Sequence, residues 1–286
     1  MTIYQEEAIS INKVHNIDCL TGLKSMSDDL IDVIVTSPPY WGQRGDEGLG
    51  SEEDPRGYID NLTKILVEAM RVLKPTGVLW LNISDSYNTP INWRFEDHVH
   101  STLGLDKQGL DPKNSAYTKN RGSRRAYIDK NAGWLSYGNL LDLPHRIIIK
   151  LCDEGIIYRG EVIWTKRKAM PEGRCRRPHR KHESIYILAK DEKHIFRTIP
   201  PVSSVWDLKA DLNRTAHTST FPIDLPKTCL EASGLEKGIV LDPFMGSGTT
   251  GVAAKILGFD YIGFEINADN AAIAQKRIDE TQIPFM

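Results

Sequence analysis

Apolar runs of strand length alternate along this chain with amphipathic stretches of helix length, and that alternation limits its fold more than any other feature. Residues 31–35 read as a buried strand. Residues 58–73 place Ile59, Leu62, Ile65, Leu66, Ala69, Met70 and Leu73 on one helical face, and residues 78–83 return to an apolar strand. Lys74-Pro75-Thr76-Gly77 is expected to end the helix between them. A second unit has the same rhythm, with helices expected over 224–233, 249–257 and 268–278 and strands over 239–241 and 261–264. A helix over 141–153 and strands over 161–164 and 184–188 would supply the far half of the sheet. Strand, crossover helix and strand in this order predict an α/β fold, with a mostly parallel sheet carrying helices on both faces.

The periodicity disappears between residues 84 and 138, where Asn, Asp, Gly, Ser, Lys and Arg dominate. A loop of that length is usually functional or disordered, so residues 88–138 are read as a loop-rich insertion. The whole of 1–286 is otherwise long enough for one catalytic domain with a full core.

Two short runs each follow an apolar strand, at the strand end where open α/β sheets bind ligands. The later is Asp242-Pro243-Phe244-Met245-Gly246-Ser247-Gly248-Thr249-Thr250. Gly246 and Gly248 stand between a strand and a helix, where missing β-carbons let backbone approach a ligand. Glu265 follows the next strand, at the spacing where a carboxylate accepts hydrogen bonds from ribose hydroxyls. No Lys follows Gly248, which argues against a triphosphate. Asp242 would repel a pyrophosphate but suits a cationic amino-acid group, which favours S-adenosylmethionine over a dinucleotide. Taken alone, the glycine run also fits a plain tight turn.

The earlier run is Ser37-Pro38-Pro39-Tyr40, followed by Trp41. Consecutive prolines lack N–H donors and hold the preceding carbonyls in fixed directions, which suits gripping an amine. The Ser37 hydroxyl and the Pro38 carbonyl could accept both hydrogens of an exocyclic base amine, with Tyr40 stacked on the base. A base inside a duplex would have to be flipped out to reach them.

The net charge is −2, so any nucleic-acid surface must come from local clustering. One cluster comprises Lys166, Arg167, Lys168, Arg174, Arg176, Arg177, Arg180 and Lys181; a smaller one includes Arg121, Arg124 and Arg125. Residues 166–214 form a basic, variable region and, with 88–138, are candidate DNA-recognition elements. Cys19, Cys152, Cys175 and Cys229 are scattered, so neither a disulfide framework nor a metal site is expected. With no signal-like start and no run of membrane-spanning length, a soluble cytoplasmic protein is expected, reaching the nucleoid through DNA.

In combination these residues resemble the amino-methylating DNA methyltransferases, in the permuted order where the Ser-Pro-Pro-Tyr motif precedes the S-adenosylmethionine motif. The resemblance extends along most of the chain and is carried by residues 36–41, 77–87, 161–166, 182–185, 217–222 and 242–250. It implies a single Rossmann-like, S-adenosylmethionine-dependent catalytic domain. It also implies that Asp242, Phe244, Gly246, Ser247 and Gly248, with Thr249 in the same motif, contact the methionine portion and that Glu265 holds the ribose. Asp18 matches the acidic residue beside the adenine, although a helix cap is its commoner role, and His217, Thr218 and Phe221 match the segment closing over the methionine end. The family pairs Ser in the catalytic motif mostly with cytosine and Asp mostly with adenine, so Ser37 points to N4-methylcytosine in double-stranded DNA. N6-adenine methylation is the alternative, and a catalytically idle DNA-binding protein is the reading of another class. A homodimer and a cognate restriction endonuclease are the further candidate partners.

Overall fold

The computed structural model describes residues 9–42, 48–89, 127, 129, 131–166, 177–197, 203–208 and 221–283. The chain divides into two compact units. The first comprises Met1–Pro38, Thr63–Ser84 and Ile148–Met286; the second comprises Pro39–Leu62 and Asp85–Ile147. The division falls inside the Ser-Pro-Pro-Tyr run, between Pro38 and Pro39.

The first unit holds the sheet, which has eight strands among the described residues: β1 (Lys13–His15), β2 (Ile31–Thr36), β3 (Leu73–Ile83), β4 (Ile157–Thr165), β5 (His182–Ala189), β6 (Val205–Trp206), β7 (Ile239–Asp242) and β8 (Asp260–Phe264). Their order across the sheet is β1-β8-β7-β2-β3-β5-β4-β6. All neighbours pair in parallel except β5, which runs antiparallel to both β3 and β4. The helices are α1 (Cys19–Lys24), α2 (Pro55–Val72), α3 (Leu143–Asp153), α4 (Asp224–Ala232), α5 (Thr249–Ile256) and α6 (Ala268–Asp279). Every element expected from the sequence is present. The differences are at the ends; β1 is the N-terminal strand that the family resemblance implies before Asp18, and α1 and the two-residue β6 are additional.

Burial explains the arrangement. Val33, Val35, Val78, Trp80 and Val240 share one apolar cluster with Leu225 and Cys229 of α4, Val252 and Ala253 of α5, and Ala274 and Ile278 of α6. The intervening strand residues Ile34, Leu79, Leu81, Leu241 and Ile262 are also buried, so both faces are covered, as parallel strands require. On this second face α1 lies so close that a β-carbon at Gly22 would fall 2.8 Å from the Phe264 ring. The edge strand β1 is partly satisfied by α6, whose Gln275 Oε1 accepts from Val14 N at 2.8 Å.

One expectation needs correction. Lys74-Pro75-Thr76-Gly77 does not form a separate helix-terminating loop: α2 stops at Val72 and β3 begins at Leu73. The pairing with β2 shifts register between Ile31 and Val33, and that irregularity accommodates Pro75 in a strand. Gly77 is required there, since a β-carbon would lie 2.7 Å from the Asp32 carbonyl oxygen.

The strand order also locates the ligand edge. The chain leaves β2 for β3 on one side and β7 for β8 on the other, while β2 and β7 pair with each other. Connections that diverge from two adjacent parallel strands leave a crevice at their carboxyl ends. Both singled-out runs begin there.

Candidate active site

In the first unit, Asp242 ends β7 with 2% of its surface exposed. Its Oδ1 accepts from Thr36 Oγ1 at 2.6 Å and from Phe244 N at 3.0 Å, and its Oδ2 accepts from Thr250 Oγ1 at 2.7 Å. Burial pushes the carboxyl up to about 6, against the three donors that lower it, with the Glu265 charge adding a smaller upward push. Asp242 thus ties the last residue of β2 to the first turn of α5 through side chains alone. A cationic ligand group would have to use a remaining lone pair of this carboxylate.

Glu265 is built the same way. It is 4% exposed, with Oε2 accepting from Gly246 N at 3.0 Å and Oε1 from Asn267 N at 2.9 Å. The carboxylate expected to hold a ribose therefore also fixes the glycine loop. Asn16 steadies the same corner, donating Nδ2 to the carbonyls of Glu265 and Ile266.

Between these carboxylates the backbone turns through Gly246 at φ 53° and Gly248 at φ 85°, both in the left-handed region. The two glycines differ in surroundings. A β-carbon on Gly246 would meet only the Phe244 carbonyl at 3.8 Å, whereas one on Gly248 would press on Ala274 at 3.1 Å. Gly248 is thus needed for packing, and Gly246 leaves backbone open to a ligand. Two glycines in left-handed conformation at a strand-to-helix turn, with buried carboxylates on either side, fit a nucleoside-bearing, cationic cofactor.

Ser247 and Thr249 are buried and share a partner that the sequence did not reveal. Arg277 of α6 donates Nη1 to Ser247 O at 3.1 Å, Ser247 Oγ at 3.2 Å and Thr249 Oγ1 at 3.1 Å. Phe244 and Phe221 are half-buried. Asp18 is exposed and caps α1, its Oδ1 accepting from Thr21 N at 3.0 Å. His217 and Thr218 lie outside the described residues.

Ser37 is half-buried and Pro38 buried, directly after the Thr36 side chain that holds Asp242. The rest of that run belongs to the second unit, which braces it locally. Tyr58, 1% exposed, donates its hydroxyl to Pro39 O at 2.9 Å. Trp41, also 1% exposed, donates its indole N–H to Glu52 O at 2.7 Å. Glu52 Oε2 in turn accepts from Gly50 N at 2.8 Å, and Gly50, at φ 94°, lies where a β-carbon would be 2.9 Å from Tyr40 O. The backbone around Tyr40 is thus fixed by Gly50, Glu52 and Tyr58. The one available signal for them was that a buried tyrosine hydroxyl needs an acceptor.

Of the basic residues, Lys166, Arg177, Arg180 and Lys181 are described; Arg167, Lys168, Arg174, Arg176, Arg121, Arg124 and Arg125 lie outside the described residues. Arg177 and Arg180 are half-buried and Lys181 exposed. Arg180 reaches Ser84 Oγ at 3.4 Å. Lys166 is not a solvated cation: its ammonium is paired with Glu183 and lies 4.8 Å from the centre of the Trp164 ring. No helix among the described residues is long and apolar enough to cross a membrane.

Residues 31–276 match the DNA methylase family model (N6_N4_Mtase). The Type II methyltransferase M.SmaI of Serratia marcescens is 32% identical over 278 residues, covering 91% of this chain and 88% of that protein. The Type II methyltransferase M.Cfr9I of Citrobacter freundii is 31% identical over 281 residues, covering 91% and 85%. Among solved structures, the cytosine-N4-specific PvuII DNA methyltransferase superposes with a TM-score of 0.65 at 18% identity, over 94% of this chain and 92% of that one. M1.HpyAVI, in complex with S-adenosylmethionine, gives 0.59 at 18% identity over 93% and 98%. At that identity the structural likeness establishes the fold.

Proposed function

Because this chain belongs to the DNA methylase family, we propose that it is an S-adenosylmethionine-dependent, site-specific methyltransferase acting on the exocyclic amine of a flipped-out cytosine in double-stranded DNA. The observation that carries this reading is the hydrogen bond from Thr36 to Asp242. It holds the strand that delivers Ser37 and Pro38 against the strand that opens the glycine loop, so amine acceptors and cofactor loop share one sheet edge.

S-adenosylmethionine, when bound, supplies a methyl group on a cationic sulfur. Asp242 and Glu265, with Gly246 between them, are the groups we assign to hold it. Asp18, Phe244, Ser247, Gly248, Thr249 and Phe221 keep the roles that the family resemblance implies. Ser37 Oγ and the Pro38 carbonyl accept the two hydrogens of the target amine and so direct the nitrogen lone pair. The Ser37 hydroxyl is neutral and weakly basic, so it orients the amine, and the surplus proton leaves to water after the new N–C bond has formed. Tyr40 stacks on the extruded base and offsets part of the unstacking cost, roughly a few kcal/mol. Serine rather than aspartate at this position supports cytosine over adenine.

Nucleoside mass spectrometry and single-molecule sequencing of DNA from cells expressing the protein test this together. N4-methylcytosine in a fixed sequence context is the expected result. N6-methyladenine would keep the enzyme and overturn the base assignment, and no modified base would overturn both.

A further inference from the structure

The row of side chains along the carboxyl edge of the sheet continues past Ser37. Val35 is paired with Trp80 and Thr36 with Leu81, which sets Ser37 level with Asn82 and, by two-residue alternation, on the same face. The antiparallel register then opposes Asn82 to Ile185 and Glu183 to Trp164. Asn82, Glu183 and Trp164 therefore line one face of the consecutive strands β3, β5 and β4, and Ser37, one residue past the end of β2, continues that row.

Two of these, Glu183 and Trp164, meet at Lys166, the first residue after β4, and the third, Asn82, holds Glu183. Asn82, 2% exposed, donates Nδ2 to Glu183 Oε2 and to Ser184 O, each at 3.2 Å. The other Glu183 oxygen accepts the Lys166 ammonium, whose charge also faces the Trp164 ring at 4.8 Å. The Lys166 backbone N–H is held by Lys181 O at 2.8 Å. The Glu183 side chain is 12% exposed and that of Lys166 35%, so the pair is largely withdrawn from solvent. A cation neutralised and pinned in this way suits a directed hydrogen bond better than a contact to a mobile phosphate. An ammonium carries three donors, and Glu183 engages one in the described contacts.

We propose that Lys166, held in place by Glu183 and Asn82, is a positioning residue for the flipped base, donating to the ring carbonyl and ring nitrogen of a cytosine whose amine is held at Ser37. The proposal rests on the functional reading above. Lys166 follows β4, but its ammonium is held at Glu183 of β5, and two strand spacings, about 10 Å, separate β5 from β2; that is on the order of a pyrimidine's amine-to-carbonyl span with a hydrogen bond at each end. Adenine carries no carbonyl there, so the same residue favours cytosine. Lys166 thereby leaves the set of phosphate-contacting cations and joins the base-holding end of the site.

The test uses the full-length protein and a duplex carrying the site found modified in cells, once with the target cytosine and once with an abasic nucleotide in its place. Wild-type methylation of the first duplex is measured beforehand; its failure would overturn the functional reading itself. Lys166→Met is expected to bind the cytosine duplex about 10-fold more weakly, to bind the abasic duplex as the wild type does, and to keep the wild-type slope of log K against log salt. S-adenosylmethionine affinity and melting temperature serve as the check on folding, and Lys166→Arg, which keeps charge and donors, is expected to recover most of the loss. Equal weakening on both duplexes, or a salt slope reduced by about one, would mean a phosphate contact and overturn the proposal. Unchanged binding to both duplexes would overturn it as well, and so would a Lys166→Arg variant as defective as Lys166→Met.

Discussion

The Thr36 hydroxyl donates to Asp242 Oδ1 at 2.6 Å across 206 residues of sequence, joining the carboxyl ends of two adjacent parallel strands. One strand runs into the amine-holding serine and the other into the glycine loop. Displacing either partner would therefore disturb both.

Thr36→Val keeps the shape of the side chain but leaves a buried carboxylate one donor short. The expected loss is roughly 1–3 kcal/mol of stability, with weaker S-adenosylmethionine binding. Thermal denaturation with and without S-adenosylmethionine measures both; an unchanged melting temperature in each condition would show that the bond contributes nothing.

Gly248→Ala places a β-carbon on a residue at φ 85° and 3.1 Å from Ala274. The expected cost is about 1–3 kcal/mol from backbone strain, with a shift of α5 against α6 that also impairs the cofactor loop. Gly246→Ala shares the strain at φ 53° but lacks the clash, so it should lose less stability and proportionally more S-adenosylmethionine affinity. Calorimetric titration of both variants separates packing from ligand approach.

Tyr58→Phe removes only the hydroxyl that holds Pro39 O. Loosening that carbonyl is expected to lower kcat about 10-fold while the S-adenosylmethionine affinity stays at the wild-type value, because the cofactor loop lies in the other unit. Single-turnover methylation beside an equilibrium titration reports the two quantities.

The carboxyl of Asp242 sits at about 6 in the folded protein, raised by burial from an ordinary value of 3.8. Between those values the folded state holds a proton that the unfolded state has released. The contribution of Asp242 to stability is therefore fully present below the lower value, falls as pH rises through the interval, and is constant above about 6. Ligand binding should move the opposite way, since an ionised Asp242 attracts a cationic group: affinity is expected to decline as pH falls through about 6. Asp242→Asn should abolish both dependences, which chemical denaturation and titration across pH 4 to 8 would reveal.

Ser37→Ala should retain cofactor binding and lose turnover, roughly 100-fold, because orientation of the amine rather than proton removal is at stake. A variant with intact turnover would remove Ser37 from the amine-holding role.

Local physics made much of this protein readable in advance. Strand and helix positions follow from periods of two and 3.6 residues, and the two loops from the backbone freedom of Gly246 and Gly248 and the rigidity of Pro38 and Pro39. These rules act within a few residues, so no knowledge of the fold is needed to apply them. The same locality misplaced the start of β3, because Pro75 normally marks a break and is tolerated here only by a register shift against β2.

What the tertiary structure alone decided is which groups meet. Asp242 and Glu265 were legible as ligand candidates, but not as the acceptors that hold Thr36, Thr250 and Gly246 in place. Arg277 shows no motif and reaches Ser247 only because α6 packs against α5 closely enough that a β-carbon at Gly251 would collide with Ile278. Lys166 read as one cation in a basic run until the antiparallel β5 brought Glu183 beside it. Partnerships of this kind depend on strand order and register, which depend on how every apolar face in the chain is buried at once. A local pattern specifies an element, and only the closed core specifies its neighbours.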